Sequence, residues 1–340
     1  MSAMVCCELF AAPAICYLLG VAPPERRRVR AVVSRKVASV VGSEEYVRVR
    51  MGEVSGRLVA VPSGRGAGLV SGLARAEGMM VIAALSEGCA KGAEVECELL
   101  RPEQEVRNTM LITGSHDVAL DLLGSEVHRR RPELNVASSH VGSMAGLAAL
   151  REGLCHMAGS HLLDPETGEY NWRHVRELFG EEEVALVTLA HRQQGFIVLS
   201  GNPKGIRTWE DLARAGVRFI NRQAGAGTRV LLDTHLRRRG IGPDQVEGYR
   251  REVYTHLAVA SMVENGTADV GLGILAAVAR ARGLEFVPLA KERYDLVMRP
   301  EVWESAMGRA VAEALGSEGF CAQLEALGGY DMKETGRRQW

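Results

Sequence analysis

Three stretches of this chain carry apolar residues with three different periods. Residues 3–19 are almost continuously apolar and predict one buried amphipathic helix, closed by Gly20 and followed by Pro23-Pro24. A helix of that apolarity needs something to pack against. Residues 26–100 hold short strand-like runs at 28–33, 45–50, 57–62, 78–83 and 93–99. Gly42, Gly52, Gly56, Gly64, Gly66, Gly68 and Gly88 punctuate them, and 68–75 reads as a helix-like turn. Short strands at this spacing predict a small β-barrel or sandwich.

From about Arg107 the period changes, and strands alternate with helices. Strands are expected at 108–113, 135–139, 156–159, 184–190, 195–199, 217–221, 269–271, 285–289 and 294–298. Helices are expected at 115–130, 143–153, 172–179, 208–215, 228–239, 256–266 and 275–282, with more helix towards the end. Such alternation builds a mainly parallel α/β sheet flanked by helices, and its length suits two lobes.

One local pattern recurs at the strand ends. A strand stops, a Gly/Ser/Thr-rich turn follows and a helix starts. It occurs at Thr113-Gly114-Ser115-His116-Asp117, at Ser138-Ser139-His140-Val141-Gly142-Ser143 and from Asn221 to Arg229, and Tyr254-Thr255 precedes another helix at His256. The first N–H groups of a helix lack internal partners and sit at the positive end of its dipole, so an anion at the turn satisfies both. Ligand crevices of open α/β sheets lie at the carboxyl ends of strands, where all four turns fall. The competing account is plain N-capping, which Ser, Thr and Asp supply at ordinary helix starts. Gly225-Ala226-Gly227 is part of a dinucleotide fingerprint, but its acidic partner is missing, as is a Gly-Lys-Ser/Thr.

Composition narrows the classes. The chain has 340 residues and a net charge of −1, which speaks against a general nucleic-acid surface. The Arg26–Arg28 and Arg129–Arg131 runs read as solvated element ends. Seven cysteines without a Cys-x-x-Cys pair fit reduced thiols of a cytoplasmic protein, not disulfides or zinc. The first basic residue, Arg26, follows the apolar start, which is the wrong order for a secretory leader. No segment is expected to span a membrane.

HMAGSHLLDPETGEYN (156–171), FINRQAGAGTRVLLD (219–233), DVGLGI (269–274) and ERYDLV (292–297) resemble the PBP-like domains fused to molybdopterin biosynthesis proteins and some regulators. That resemblance covers about Asn108 to Met332. It implies a type II periplasmic-binding-protein fold, with molybdate or tungstate as ligand. Lobe 1 would take about 107–191 and 275–340, and lobe 2 about 192–274. Hinge crossings would lie near 192–201 and 271–274. A second resemblance covers the start. Residues 2–19 are similar to the helix after the Pro-Gly-Asn-Pro loop of MoeA-type molybdopterin molybdenumtransferases. Residues 28–50, with 64–76 and 78–82, resemble their small C-terminal β-domain. The expected domains are therefore a remnant helix (1–22), a small β-domain (26–102) and a PBP-like domain (107–340). In those enzymes the catalytic domain binds molybdopterin and magnesium. Most of it is missing from this sequence, which reads as truncated or split, with the catalytic part on another chain and a homodimer possible through the N-terminal part.

The expected oxyanion donors are Ser115, Ser143 and Thr228, with Gly114, Gly142 and Gly227 allowing close approach. Arg222 and Arg229 are the candidate cations, and His161, Tyr170 and His256 are candidate cleft residues. The loop at 63–71 is the one to watch in the β-domain. The expected function is molybdate or tungstate delivery or sensing. The alternatives are molybdenum insertion with a separately encoded catalytic part, and sensing of a pterin or small organic anion.

Overall fold

The computed structural model describes residues 5–22, 25–64, 75–164, 166–279 and 281–339. Pro23-Pro24, residues 65–74 of the expected turn and watched loop, and Pro165 lie outside the described residues. The chain divides into two compact units. The first is Met1–Leu111 with Glu133–Ala137 and Gly153–Cys155. The second is Ile112–Pro132, Ser138–Glu152 and His156–Trp340.

The first unit contains β1 (Arg28–Val33), β2 (Val37–Ala38), β3 (Glu45–Val54), β4 (Arg57–Pro62), β5 (Gly78–Ile82), β6 (Gly88–Cys89) and β7 (Glu94–Leu99). Strands β1, β4, β3, β5 and β7 close a barrel, which removes the exposed edges of an open sheet. Val33, Val49, Met51, Ala60, Met80 and Cys97 are fully buried in its core. Strand β3 returns as β4 through Ser55-Gly56, whose φ values of 48° and 77° suit a two-residue hairpin.

The apolar start does form a helix, a π-helical turn Cys7–Ala11 running into α1 (Ala12–Leu18). None of its residues is buried, and Tyr17 is 84% exposed. The expectation of a buried helix is therefore corrected. An apolar face records a need for cover, and the described residues do not supply it. A short α2 (Glu103–Arg107) adds Val106 to the barrel core.

The remaining strands are β8 (Thr109–Gly114), β9 (Asn135–His140), β10 (Met157–Ser160), β11 (Ala185–Leu199), β12 (Phe219–Arg222), β13 (Glu252–Val253), β14 (Val270–Ile274), β15 (Leu284–Met298) and β16 (Tyr330–Asp331). They form one sheet in the order β13-β12-β14-β11-β15-β10-β8-β9, with β16 on β11. Pairings β8–β10, β12–β13 and β12–β14 are parallel. The flanking helices are α3 (Val118–Arg130), α4 (Ser143–Arg151), α5 (Trp172–Phe179), α6 (Gly227–Arg238), α7 (His256–Glu264), α8 (Pro300–Glu304), α9 (Ala306–Leu315) and α10 (Glu318–Leu327).

Strands β11 and β15 each run for 15 residues and pair antiparallel from Ala185↔Met298 to Leu199↔Leu284. Two strands were expected in place of each, with gaps at 191–194 and 290–293. Those residues instead continue the ladder, with Arg192, Gln194 and Glu292 buried and Lys291 exposed. Outside this ladder β15 pairs with β10 through Asp295–Met298, and β11 pairs with β14 through Gln194–Val198.

The expected helices at 208–215 and 275–282 shrink to the 3-10 turns Glu210–Ala213 and Leu275–Ala277. At the first, the Asp211 carboxylate accepts from the Arg207 and Thr208 N–H groups and fixes a turn. Alternate residues of the β12–β14 half bury opposite faces. Phe196, Phe219 and Trp209 pack in one core, and Ile197, Ile220 and Val259 in another. Among the described residues no helix is long and apolar enough to cross a membrane.

Candidate functional site

The helix starts separate into two kinds. Asp117 caps α3 by accepting from Ala119 N–H (2.7 Å), and Thr255 caps α7 by accepting from Ala258 N–H (3.0 Å). There the capping account holds. Helices α4 and α6 start at Gly142 and Ala226 with no side-chain cap, so their first N–H groups lack intrahelical partners. Gly142 (φ 90°) and Gly225 (φ 80°) provide left-handed turns before them. A Cβ on Gly142 would stand 3.2 Å from the Gly225 carbonyl oxygen, so these two uncapped starts face one another. A Cβ on Gly227 would collide with the His161 ring and carbonyl, so the glycine lets α6 begin against that histidine.

Behind these starts lies a buried polar network carried by the two long strands. Arg192 donates from Nε to Glu292 and from Nη1 to Asp117, and its guanidinium lies 4.8 Å from the Tyr294 ring centroid. Gln194 Nε2 donates to Glu292 Oε1 (2.8 Å) and Thr228 Oγ1 (3.0 Å). Tyr330 donates its hydroxyl to Asp117 (2.8 Å). Glu292 Oε2 meets His161 Nδ1 at 2.9 Å, and His161 Nε2 meets Ser115 Oγ at 2.7 Å. Burial pushes the Glu292 carboxyl up, but the Arg192 charge and His161 outweigh it and hold it at about 2. Burial pushes His161 down, against the pull of Glu292. At neutral pH the pair is therefore carboxylate and neutral imidazole. The Nδ1 proton points to Glu292, and Nε2 accepts the Ser115 hydroxyl proton.

A serine, a histidine and a carboxylate in this order are also the parts of acyl-transfer enzymes. Here Glu292 is shared with Arg192 and Gln194, and Ser115 is 1% exposed. The row is a buried hydrogen-bond chain.

Several buried polar atoms of this region have no hydrogen-bond partner among the described residues. They are Arg192 Nη2, Arg222 Nη1, Gln194 Oε1, His116 Nδ1 and both ring nitrogens of His256. Arg222, 2% exposed, donates through Nη2 to the Tyr254 carbonyl (2.9 Å), and burial, helped by Arg192, pushes it down to about 10. His256 is pushed well below its usual range by burial and by the Arg222 and Arg192 charges.

The structure brings Gly142, Ser143, Gly227, Thr228 and His161 together. Ser143 Oγ accepts from His161 N–H (3.3 Å). The Gly114 carbonyl accepts from Val141 and Gly142 N–H and ties the first two turns to each other. Ser115 sits beside them, but its N–H donates to Gly159 and its hydroxyl to His161, so neither is left for an anion. Arg229 is engaged elsewhere, by Asp233, Glu252 and the Tyr249 ring. The Tyr170 hydroxyl donates to the Lys291 carbonyl. The sequence reading missed Arg192, Gln194, Glu292 and Asp117 as a group. The available signal was Arg192 and Gln194 two apart in an apolar run, one strand face on a period of two.

The α/β sheet thus carries uncapped helix starts beside a buried polar network on its two long strands. Residues 124–316 match the PBP superfamily domain, more than half of the chain, and the chain belongs to that superfamily. Residues 30–100, which span the barrel, match the MoeA C-terminal region (domain IV). An uncharacterized Bacillus subtilis protein, YvgK, is 36% identical over 244 residues, covering 72% of this chain and 78% of its own length. An uncharacterized Clostridium pasteurianum protein from the 5′ region of a ferredoxin gene is 42% identical over 108 residues, 32% of this chain and 96% of that protein. A solved Clostridium perfringens structure, described as a phosphate ABC transporter substrate-binding protein with bound phosphate, is 15% identical with a TM-score of 0.50. It covers 64% of this chain and 97% of its own, and shows the shared fold.

Proposed function

We propose that the second unit binds a small oxyanion at the facing starts of α4 and α6, and that this ligand is molybdate or tungstate, delivered or sensed for molybdenum cofactor assembly in the cytoplasm. The observation that carries the reading is the pair of buried guanidinium nitrogens, Arg192 Nη2 and Arg222 Nη1, without partners among the described residues. A buried charged donor left unmade costs about 1–3 kcal/mol or more, and an anion supplies the missing acceptor. The uncapped N–H groups of α4 and α6 and the Thr228 hydroxyl, which accepts from Gln194 and keeps its own proton to donate, complete the donor set. The match to the MoeA C-terminal region supports the link to molybdenum. The phosphate in the C. perfringens protein supports the size class.

Calorimetric titration with molybdate, tungstate, sulfate and phosphate tests this. Saturable heat with one or more of them is expected, and no heat with any sinks the reading.

A further inference from the structure

The donor set accounts for only part of the site. Molybdate, tungstate and sulfate at neutral pH offer acceptors alone, so every group around them has to donate. Two groups here do not, and a third, His256, has a donor on one side of its ring only. Both donor contacts of Gln194 run through Nε2, one of them to the Glu292 carboxylate. The reverse amide orientation would set oxygen against oxygen, so Oε1 is fixed as a buried acceptor without a partner among the described residues. Ser115 has committed both its protons, to Gly159 and His161, and presents only lone pairs. His256 is buried with neither ring nitrogen partnered among the described residues, and a neutral imidazole carries one donor and one acceptor. The charged and titratable groups whose fields act on it are Arg222 on β12, Arg192 on β11, His116 after β8 and His161 after β10. The carboxylates of the network, Glu292 and Asp117, are both bonded to Arg192.

We propose that the occupied site holds a proton on the acceptor side of the ligand, which a bare dianion does not bring. The ligand either carries its own hydroxyl or N–H, as hydrogenphosphate does, or binds with uptake of one proton, which His256 is placed to take. This rests on the oxyanion reading and adds the ligand's protonation to it. Two buried arginines alone would favour any dianion, whereas the unpaired acceptors separate dianions with a proton from those without.

The full chain is titrated calorimetrically with sulfate, molybdate and inorganic phosphate, at a pH where phosphate is the singly protonated dianion. Two buffers of different ionisation enthalpy give the proton count. Hydrogenphosphate binds with no net proton change. Molybdate and sulfate take up about one proton each, so their affinity falls about tenfold per unit rise in pH. In His256→Asn the proton count for molybdate falls towards zero. Sulfate or molybdate binding with no proton uptake overturns the inference and leaves the oxyanion reading standing. An unchanged count in His256→Asn overturns the assignment to that residue. No heat from any of the three overturns both readings.

Discussion

Replacing Arg222 by methionine should move stability and binding in opposite directions. In the empty protein Arg222 is a buried cation that donates to the Tyr254 carbonyl and, at 3.3 Å, to Gln223 Oε1, with Nη1 unpaired among the described residues. Burial lowers it from 12.5 to about 10. A base depressed in the folded state costs stability at every pH below its folded value, and the cost disappears only as pH rises towards the unfolded value. At neutral pH the shift corresponds to about 3 kcal/mol. Losing the bond to Tyr254 takes back about 1 kcal/mol. Arg222→Met should therefore stabilise the ligand-free second unit by about 2 kcal/mol, or roughly 4–8 °C for a domain of this size. The same change removes a charge-assisted donor worth about 1.5–3 kcal/mol, a loss of roughly 10- to 150-fold in anion affinity. At an anion concentration 100 times the wild-type Kd the wild type gains about 2.7 kcal/mol and the variant only about 0.3–1.4, so the variant's lead should shrink by about 1.3–2.4 kcal/mol and invert towards the upper end of that affinity loss. Scanning calorimetry of both proteins, with and without anion, measures this. A variant less stable than wild type when empty, or equally stabilised by the anion, refutes the reasoning.

Gly227→Ala forces a methyl into the His161 ring, and should destabilise the fold by about 1–3 kcal/mol in urea titrations and abolish anion-induced stabilisation. Thr228→Val removes a donor and the Gln194 contact, and calorimetry should show affinity weaker by about 1–3 kcal/mol. Glu292 is held at about 2 against an ordinary 4.5, so its contribution is complete above about 4.5 and is lost as pH falls towards 2. Urea midpoints should drop across that window, and drop less in Glu292→Gln. Burial raises the Cys97 thiol to about 12, so alkylation of the native protein should label exposed Cys6 and Cys7 and leave Cys97 unmodified until denaturant is added, as read by peptide mass.

Strand and helix periods alone located most elements, because amphipathic faces repeat locally. The α4 and α6 starts were legible through their glycines, whose backbone role is written in the residue type. The network beneath them was not. Arg192, Gln194 and Glu292 look like loop residues, since burying charge is costly unless it is paired, and their pairing runs between strands about 100 positions apart. Periodicity has no access to such a partner. The same blindness made the 3–19 helix look buried, because a local pattern cannot report whether a covering surface exists. Ser115 was read as a donor because its residue type allows it. Only the hydrogen bond to His161 shows which way its proton points.

The ladder between β11 and β15 is regular from Ala190↔Tyr294 to Gln194↔Ala290 and irregular on both sides, with register shifts at Thr188/Ala190 and Gln194/Gly195. The polar rungs thus sit in a short phased segment between two slips. In a strand, loss of one residue turns every following side chain to the opposite face. A single deletion within this segment would swing Arg192 out of phase with Glu292. Substitutions at the helix starts, by contrast, change individual donors and leave the phase alone. The protein therefore works as a vernier. With the ligand at the proposed site, point changes at α4 and α6 alter ligand preference, while strand length is fixed to the residue.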